Sequence, residues 1–498
     1  MKDLKNIFWP VKKKEYKKFI PMFLIFFLIS FNYNTLKIAK DTLVITAPNS
    51  GAETIPFIKV WVMLPSAIII TYIYSKISNK FSRENVFYIM IFIFLLFFIL
   101  FIFFLYPLRD FLCPEGLVKK LEHFLPVGFK GFISLIRNWP FTLFYVMAEL
   151  WGTIILTVLF WGFANDIMSV NEAKRFYSLF FVGANLASIV SGKTSMIFSK
   201  NIFNYKIPFG KTGWDQSVLF LNGLIIISAF FIILIFFFLN KKIPKIQGEQ
   251  KNFKKDKISI KKNFFYLAKS KYLICIAVIV MSYHVAINLV EIIWKNQVKQ
   301  LYPNAADYNF YMGQIMILMG ILSTIVAIFI SGNFLRRFSW TFNALITPFI
   351  ILITSILFFS FLFLKNFNSI TILSFFGFTP LVMSVFFGSI QNCMTKVSKY
   401  TLFDATKEIS FIPLDKESKF KGKAAIDGIG SRIGKSGGSI IHQGFLIIFS
   451  TLSATAPYIA ILFLFIVAIW ITAVRSLGKQ FNELASQKET ISVATALD

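Results

Sequence analysis

The sequence predicts an all-α, polytopic membrane protein of about twelve transmembrane helices, and two observations predict it. Hydrophobic residues make up 56% of the 498 positions and charged residues only 15%. A soluble chain of this length needs more charge than that to cover its surface. Phe alone occurs 63 times, and the mean hydropathy is +0.68. The second observation is that apolar runs of roughly 18 or more residues recur along the whole chain, each long enough to cross about 30 Å of hydrocarbon. A backbone inside lipid must satisfy its own hydrogen bonds, so each run reads as a helix.

In chain order the runs cover residues 19–36, 57–74, 86–105, 140–163, 176–198 and 218–239, then 272–294, 308–330, 340–364, 370–397, 426–449 and 457–474. Polar and glycine residues interrupt the fifth, tenth and eleventh, which are the weakest. The first follows a basic stretch (Lys12, Lys13, Lys14, Lys17, Lys18) and so resembles a signal peptide. It is long, however, and ends in Lys37, Lys40 and Asp41 with no small-residue cleavage pattern, so it reads as an uncleaved span.

The formal net charge of +28 would suggest nucleic acid in a soluble protein. Here the lysines cluster between apolar runs, and the positive-inside rule accounts for them without a nucleic-acid partner. Lys76, Lys80 and Arg83, Lys174 and Arg175, Arg336 and Arg337, and Lys416 to Lys423 fall on the side of the N-terminus, whereas Arg109, Asp110 and Glu115 mark the sparser side. Both termini are expected in the cytoplasm and the chain in a cell inner membrane. The expected division is a basic N-terminus over 1–18, a six-helix half over 19–239, a basic cytoplasmic linker over 240–271, a second six-helix half over 272–474 and a tail over 475–498. Contact with anionic lipid is the plain reading of the linker. The three cysteines and three histidines lie far apart. No zinc or redox spacing exists, and no metal, cofactor or catalytic group is expected.

Four ionisable residues stand inside these runs or close them: Lys40, Glu149, Glu291 and Lys435, with Arg432 beside the last. Each charge at mid-bilayer costs about 2.5–3.5 kcal/mol on insertion scales, so they need partners or a wet cavity. They read either as interhelical salt bridges or as a transport pathway, and Lys40 could also snorkel to the interface. The segment from Gly430 to Gly438 resembles a phosphate loop but lacks the Walker glycine, since Ile429 stands five residues before Gly434. Its small residues either expose backbone N–H groups to an anion or let two helices pack closely.

The two halves echo each other. Phe163-Ala164-Asn165-Asp166 and Glu172-Ala173-Lys174-Arg175 follow the fourth run, and Phe403-Asp404-Ala405-Thr406-Lys407 and Glu417-Ser418-Lys419 follow the tenth. Parallel six-helix repeats around a central cavity are the major facilitator architecture.

Particular segments then carry a specific resemblance. They are Asn32-Tyr33-Asn34-Thr35-Leu36 running into Lys40-Asp41, Glu149-Leu150-Trp151-Gly152, and Phe160 to Asn165; in the second half, Asn288-Leu289-Val290-Glu291, Ser398 to Lys407, Ile412-Pro413-Leu414-Asp415 and Gly434-Lys435-Ser436-Gly437-Gly438. Nearly the whole chain resembles the ATP/ADP translocases of plastids and of obligate intracellular bacteria such as rickettsiae and chlamydiae. The resemblance implies exchange of external ATP for internal ADP, with phosphate moving too in some members and GTP, CTP or UTP carried by others, some with protons. Four charged positions matter for transport in that family, and their motifs match Lys40, Glu149, Glu291 and Lys435. The preponderance of Phe, Ile, Lys and Asn fits the AT-rich codons of an intracellular bacterium.

The expected mechanism is alternating access. Lys40 and Lys435 bind phosphates, with Arg432 a third ligand, and Glu149 and Glu291 hold the lysines when the site is empty. Trp151 or Tyr145 is a candidate for stacking on the base, although packing explains most of the aromatic residues. Glu172, Lys174, Arg175, Asp404, Lys407 and Asp415 are candidates for a cytoplasmic gate of exchanging ion pairs. A monomer is expected, because one chain carries both halves. A membrane transferase would show acidic or histidine residues clustered at one face; Asp404, Glu408 and Asp415 come closest, in a segment full of lysines.

Overall fold

The computed structural model describes residues 11–242, 270–331, 337–364 and 378–497. Most of the basic linker and the first residues of the tenth run therefore lie outside the described residues, as does the side chain of Lys174. Among the described residues there is no strand. Twelve long helices follow one another: α1 (Tyr16–Ile45), α2 (Thr54–Lys80), α3 (Arg83–Leu105), α4 (Trp139–Ile167), α5 (Val170–Phe198), α6 (Gly213–Lys242), α7 (Lys271–Leu301), α8 (Ala305–Phe329), α9 (Trp340–Leu364), α10 (380–410), α11 (416–449) and α12 (Leu452–Leu497). Among the described residues, nine of these are long and apolar enough to cross a membrane. The other three are α5, α10 and α11, the runs that polar residues interrupt. Among the side chains responsible are Lys193 in α5, Lys396 in α10, and Arg432, Lys435 and His442 in α11.

Two features differ from the sequence expectation. Helix α10 runs from 380 to 410 rather than ending near 397. Thr379 caps its N-terminus by accepting from the Val382 N–H, and Pro380 sits in the first turn, where its missing N–H does no harm. Nothing breaks the helix at 397; it relaxes into a π segment at Lys399–Phe403 and continues. Asp404 and Lys407 are thus helical, and Asp415 caps α11 by accepting from the Ser418 N–H at 2.9 Å. Two short helices, Glu115–Phe124 and Lys130–Arg137, also fold between α3 and α4. Both are too short to span.

The chain forms two compact units, Met1–Gln250 with Tyr302–Thr324, and Lys251–Leu301 with Ile325–Asp498. Helix α1 is the axis of the first. Phe19 and Phe26 pack on Phe176 and Phe160 with ring centroids 4.9 and 4.5 Å apart. Asn32 donates to the Ile225 carbonyl of α6 at 3.2 Å, and Thr35 to Ser191 of α5 at 3.1 Å. Helix α7 has the same place in the second unit: Tyr283 stacks on Phe403 at 4.3 Å, Trp294 donates to Val385 O and Ser389 Oγ of α10, and the Tyr272 hydroxyl reaches Ser410 O at 2.6 Å. In lipid, apolar burial does not itself drive helices together; close packing and such polar contacts do.

Helix α8 belongs to the first unit and crosses α5 at glycine. A Cβ on Gly192 would lie 2.5 Å from Gly313 O, and one on Gly313 would lie 2.8 Å from Gly192 O. Both obstacles are backbone and cannot rotate away. Gly192→Val or Gly313→Val should therefore lower the melting temperature in detergent, with a loss of at least about 1–3 kcal/mol from overpacking. Gly223→Val in α6, where nothing lies within 4 Å of the added carbon, should leave it nearly unchanged. Fluorescence-detected size exclusion after heating reads both outcomes.

Candidate functional site

Each unit gathers a cluster of ionised side chains around its axial helix. In the first, Lys40 of α1 is buried, its side chain 5% exposed, with Nζ 2.8 Å from Asp41 Oδ1 and 2.9 Å from Glu149 Oε1. The ammonium also sits 3.8 Å from the ring centroid of Tyr145. Tyr145 and Glu149 are four residues apart on α4, hence on one face of that helix. The three partners compensate a cation that would be costly alone in this setting. Glu149 keeps 35% of its side chain exposed while Asp41 keeps 2%. Lys59, in a π segment of α2, also acts electrostatically on Glu149. Immediately after Glu149, α4 itself turns π over Trp151–Phe160, a distortion frequent at functional sites.

In the second unit Glu291 of α7 takes two cations. Lys295, one turn on along the same helix, is 3.2 Å away, and Lys396 of α10 is 3.8 Å away. Lys435 and Arg432 lie on α11 with exposed side chains. Their helix packs closely on α7: a Cβ on Gly434 would meet His284 Cβ at 2.9 Å, and one on Gly438 would meet Asn288 Cβ at 2.8 Å. Asn288 donates to the Lys435 carbonyl at 3.2 Å, and Ser431 Oγ lies 3.2 Å from His284 Nε2. The glycine-rich segment is therefore a helix and not a phosphate loop. A continuous helix uses its backbone N–H groups in its own turns, so any anion here meets the side chains of Arg432 and Lys435. The glycines serve close packing.

Both aromatic candidates are enclosed in this structure. Trp151 is fully buried, donates Nε1–H to Ile29 O at 3.2 Å and meets Phe94 edge-on. Tyr145 is 1% exposed and faces Lys40. Neither ring offers an open face to a base in this structure.

Glu172, Arg175 and Lys407 among the gate candidates pair within their own units. Arg175 clasps Glu15 with two contacts of 2.9 and 2.5 Å, and Glu172 takes Lys18 at 2.7 Å while closing a capping box with Ser169. In the second unit Lys407 pairs with Asp427 at 2.8 Å and Lys423 with Glu408 at 2.5 Å. Asp404 is half-buried on α10. A separate cavity of about 320 Å³ is lined by Arg109, Asp110, Cys113, Glu122 and Arg137, and neither Lys40 nor Glu149 lines it. Among the described residues no group of His, Cys, Asp and Glu could hold a metal.

Sequence reasoning missed Lys295, Lys396 and Lys59, and noted Asp41 without assigning it a role. Lys295 was legible as the i+4 partner of Glu291 on a helix. Lys396 was hidden by ending the tenth span one residue beyond it.

Known proteins show what the chain is similar to. The family model described as TLC ATP/ADP transporter matches residues 1–481. A relative named ADP,ATP carrier protein 1 from Chlamydia pneumoniae is 43% identical over 98% of this chain and 95% of its own length. The chloroplastic ADP,ATP carrier protein 1 of Arabidopsis thaliana is 40% identical over 95% of this chain and 75% of its own. Among solved structures, a bacterial homologue of the iron transporter ferroportin covers 96% of this chain with a TM-score of 0.58 at 12% identity. A D-xylose–proton symporter covers 93% with 0.55 at 10%. At these identities the two show a shared fold alone.

Lys40→Met leaves two carboxylates around an apolar side chain. Thermal unfolding in detergent should show a stability loss of about 3–5 kcal/mol, and adding Glu149→Gln should recover part of it. An unchanged melting temperature in the single variant would mean that the cluster does not hold the unit together.

Proposed function

The chain belongs to the TLC ATP/ADP transporter family, and on that premise we propose that it exchanges external ATP for internal ADP across the membrane it spans. The observation that carries this reading is the Lys40–Glu149 pair. A cation buried in a span is neutralised by an acid that keeps a third of its side chain exposed, so a competing anion can reach the pair.

ATP brings about four negative charges and ADP about three, and both need cationic ligands once they leave water. In the proposed cycle phosphate replaces the glutamates as partner of the lysines. Lys40 and Lys435 bind phosphates, and Arg432 is the third ligand. Glu149 holds Lys40 between turnovers, and Glu291, which faces Lys295 and Lys396 in this structure, does the same for the cations of the second unit. Two six-helix halves, 19–239 and 272–474, expose the site to one side at a time. An empty carrier would have to move with its ion pairs remade, which makes return without cargo slow and favours one-for-one exchange. The chain sits in a cell inner membrane with both termini in the cytoplasm and works as a monomer. The ion pairs at Glu172, Arg175 and Lys407 open and close with the cytoplasmic side; Lys174, Asp404 and Asp415 belong to the same set. Phosphate accompanying ADP is part of the proposal.

Two outcomes follow. Radiolabelled ATP should enter proteoliposomes quickly when they are preloaded with ADP and at a small fraction of that rate when they are empty, with GTP, CTP and UTP competing poorly. Equal uptake into empty liposomes, or stronger competition by another base, would move the reading to net import or to another nucleotide. Glu149→Gln and Glu291→Gln should loosen the coupling, so that preloaded ADP leaks out without external nucleotide. Full coupling in both variants would contradict the partner exchange.

A further inference from the structure

We propose that Lys396 is a further phosphate ligand of the transport site, the cation that Glu291 releases when nucleotide binds. The proposal rests on the exchange reading and adds to it a residue from α10.

The argument starts from a correspondence between the two units. In the first, Lys40 has one acid beside it on its own helix, Asp41, with a side chain 2% exposed, and one from the fourth helix, Glu149, 35% exposed. In the second, Glu291 has one base on its own helix, Lys295, 4% exposed, and one from another helix of the unit, α10, Lys396, 18% exposed. The arrangement repeats with every sign reversed. The partner on the same helix is fixed, because leaving would strand a buried charge. The partner from the neighbouring helix is the more exposed of the two and the one able to exchange.

The distances agree. Lys295 lies 3.2 Å from Glu291 and Lys396 lies 3.8 Å from it. A charge-assisted hydrogen bond is about 2.7–2.9 Å, so Lys396 feels the carboxylate without a hydrogen bond to it. An ammonium has three donors, which leaves Lys396 able to receive a phosphate oxygen.

The substitution that tests the proposal is Lys396→Gln, which leaves the balanced Glu291–Lys295 pair in place. Purified full-length protein is assayed for ATP uptake into ADP-loaded proteoliposomes and for the rise in melting temperature on adding ATP. The expected result is a KM for ATP raised about tenfold or more. The ATP-dependent stabilisation should shrink to match, with the ligand-free melting temperature close to wild type. Lys396→Arg should recover most of the KM. A wild-type KM and a wild-type ATP shift in Lys396→Gln would overturn the proposal, as would a drop in ligand-free stability with KM unchanged, which is the mark of a purely structural ion pair. The wild type in the same assays separates the two claims. Saturable wild-type uptake with no effect of Lys396→Gln overturns the role of Lys396 alone; no uptake and no ATP-dependent stabilisation of the wild type overturns both.

Discussion

An ion in hydrocarbon needs a counter-ion at contact distance. Lys40 meets this requirement with Asp41 and Glu149 at 2.8 and 2.9 Å and the ring of Tyr145 below, and much of the first unit is organised around it. Helix α1 must run through the middle of its unit to be surrounded by partners. Helix α4 must present Tyr145 and Glu149 on one face, and it does so just before its π segment. The second unit answers the same requirement around Glu291 with lysines from α7 and α10. In both units a charge on α1 or α7 thus takes one partner from its own helix and one from a neighbouring helix.

The same demand links structure to transport. A buried ion pair contributes little net stability, because desolvation offsets much of the attraction, yet breaking it by removing one partner is costly. Such a pair is poorly suited to holding a fold and well suited to being exchanged for another of similar strength. A phosphate group offers the lysines what a carboxylate offers them, with more charge. In the proposed cycle the enclosed partners, Asp41 and Lys295, stay, and those from neighbouring helices are replaced.

Much of this was legible in the sequence, for physical reasons. The ninth run, 340–364, coincides with α9, because an uninterrupted apolar stretch has only one way to cross lipid. Helices such as α1 and α7 extend several residues past their apolar runs, since helical hydrogen bonding continues into the interface where hydropathy falls. The weakness of α5, α10 and α11 was legible too, as polar side chains lower the hydropathy that marks a span. Lys40, Glu149, Glu291 and Lys435 stood out because a charge in an apolar run must have a reason. Partners from distant segments could not be read in this way. Glu15 and Arg175 are 160 residues apart and Lys18 and Glu172 are 154 apart, and no local pattern joins them. The grouping of α8 with the first unit depends on glycine contacts with α5, which appear only once helices are placed. Lys396 illustrates the cost of a misplaced boundary: at the end of a run a lysine reads as an interfacial anchor, whereas in the structure it lies well inside a helix that continues to residue 410 and faces Glu291.

The most direct test of the partner exchange is an infrared difference spectrum of the purified protein with and without ATP, recorded in the carboxylate-stretching region. The account predicts bands from Glu149 and Glu291 that shift on ATP addition as each loses its lysine, and that vanish one at a time in Glu149→Gln and Glu291→Gln. Saturating ATP that leaves both carboxylates spectroscopically unchanged would contradict it.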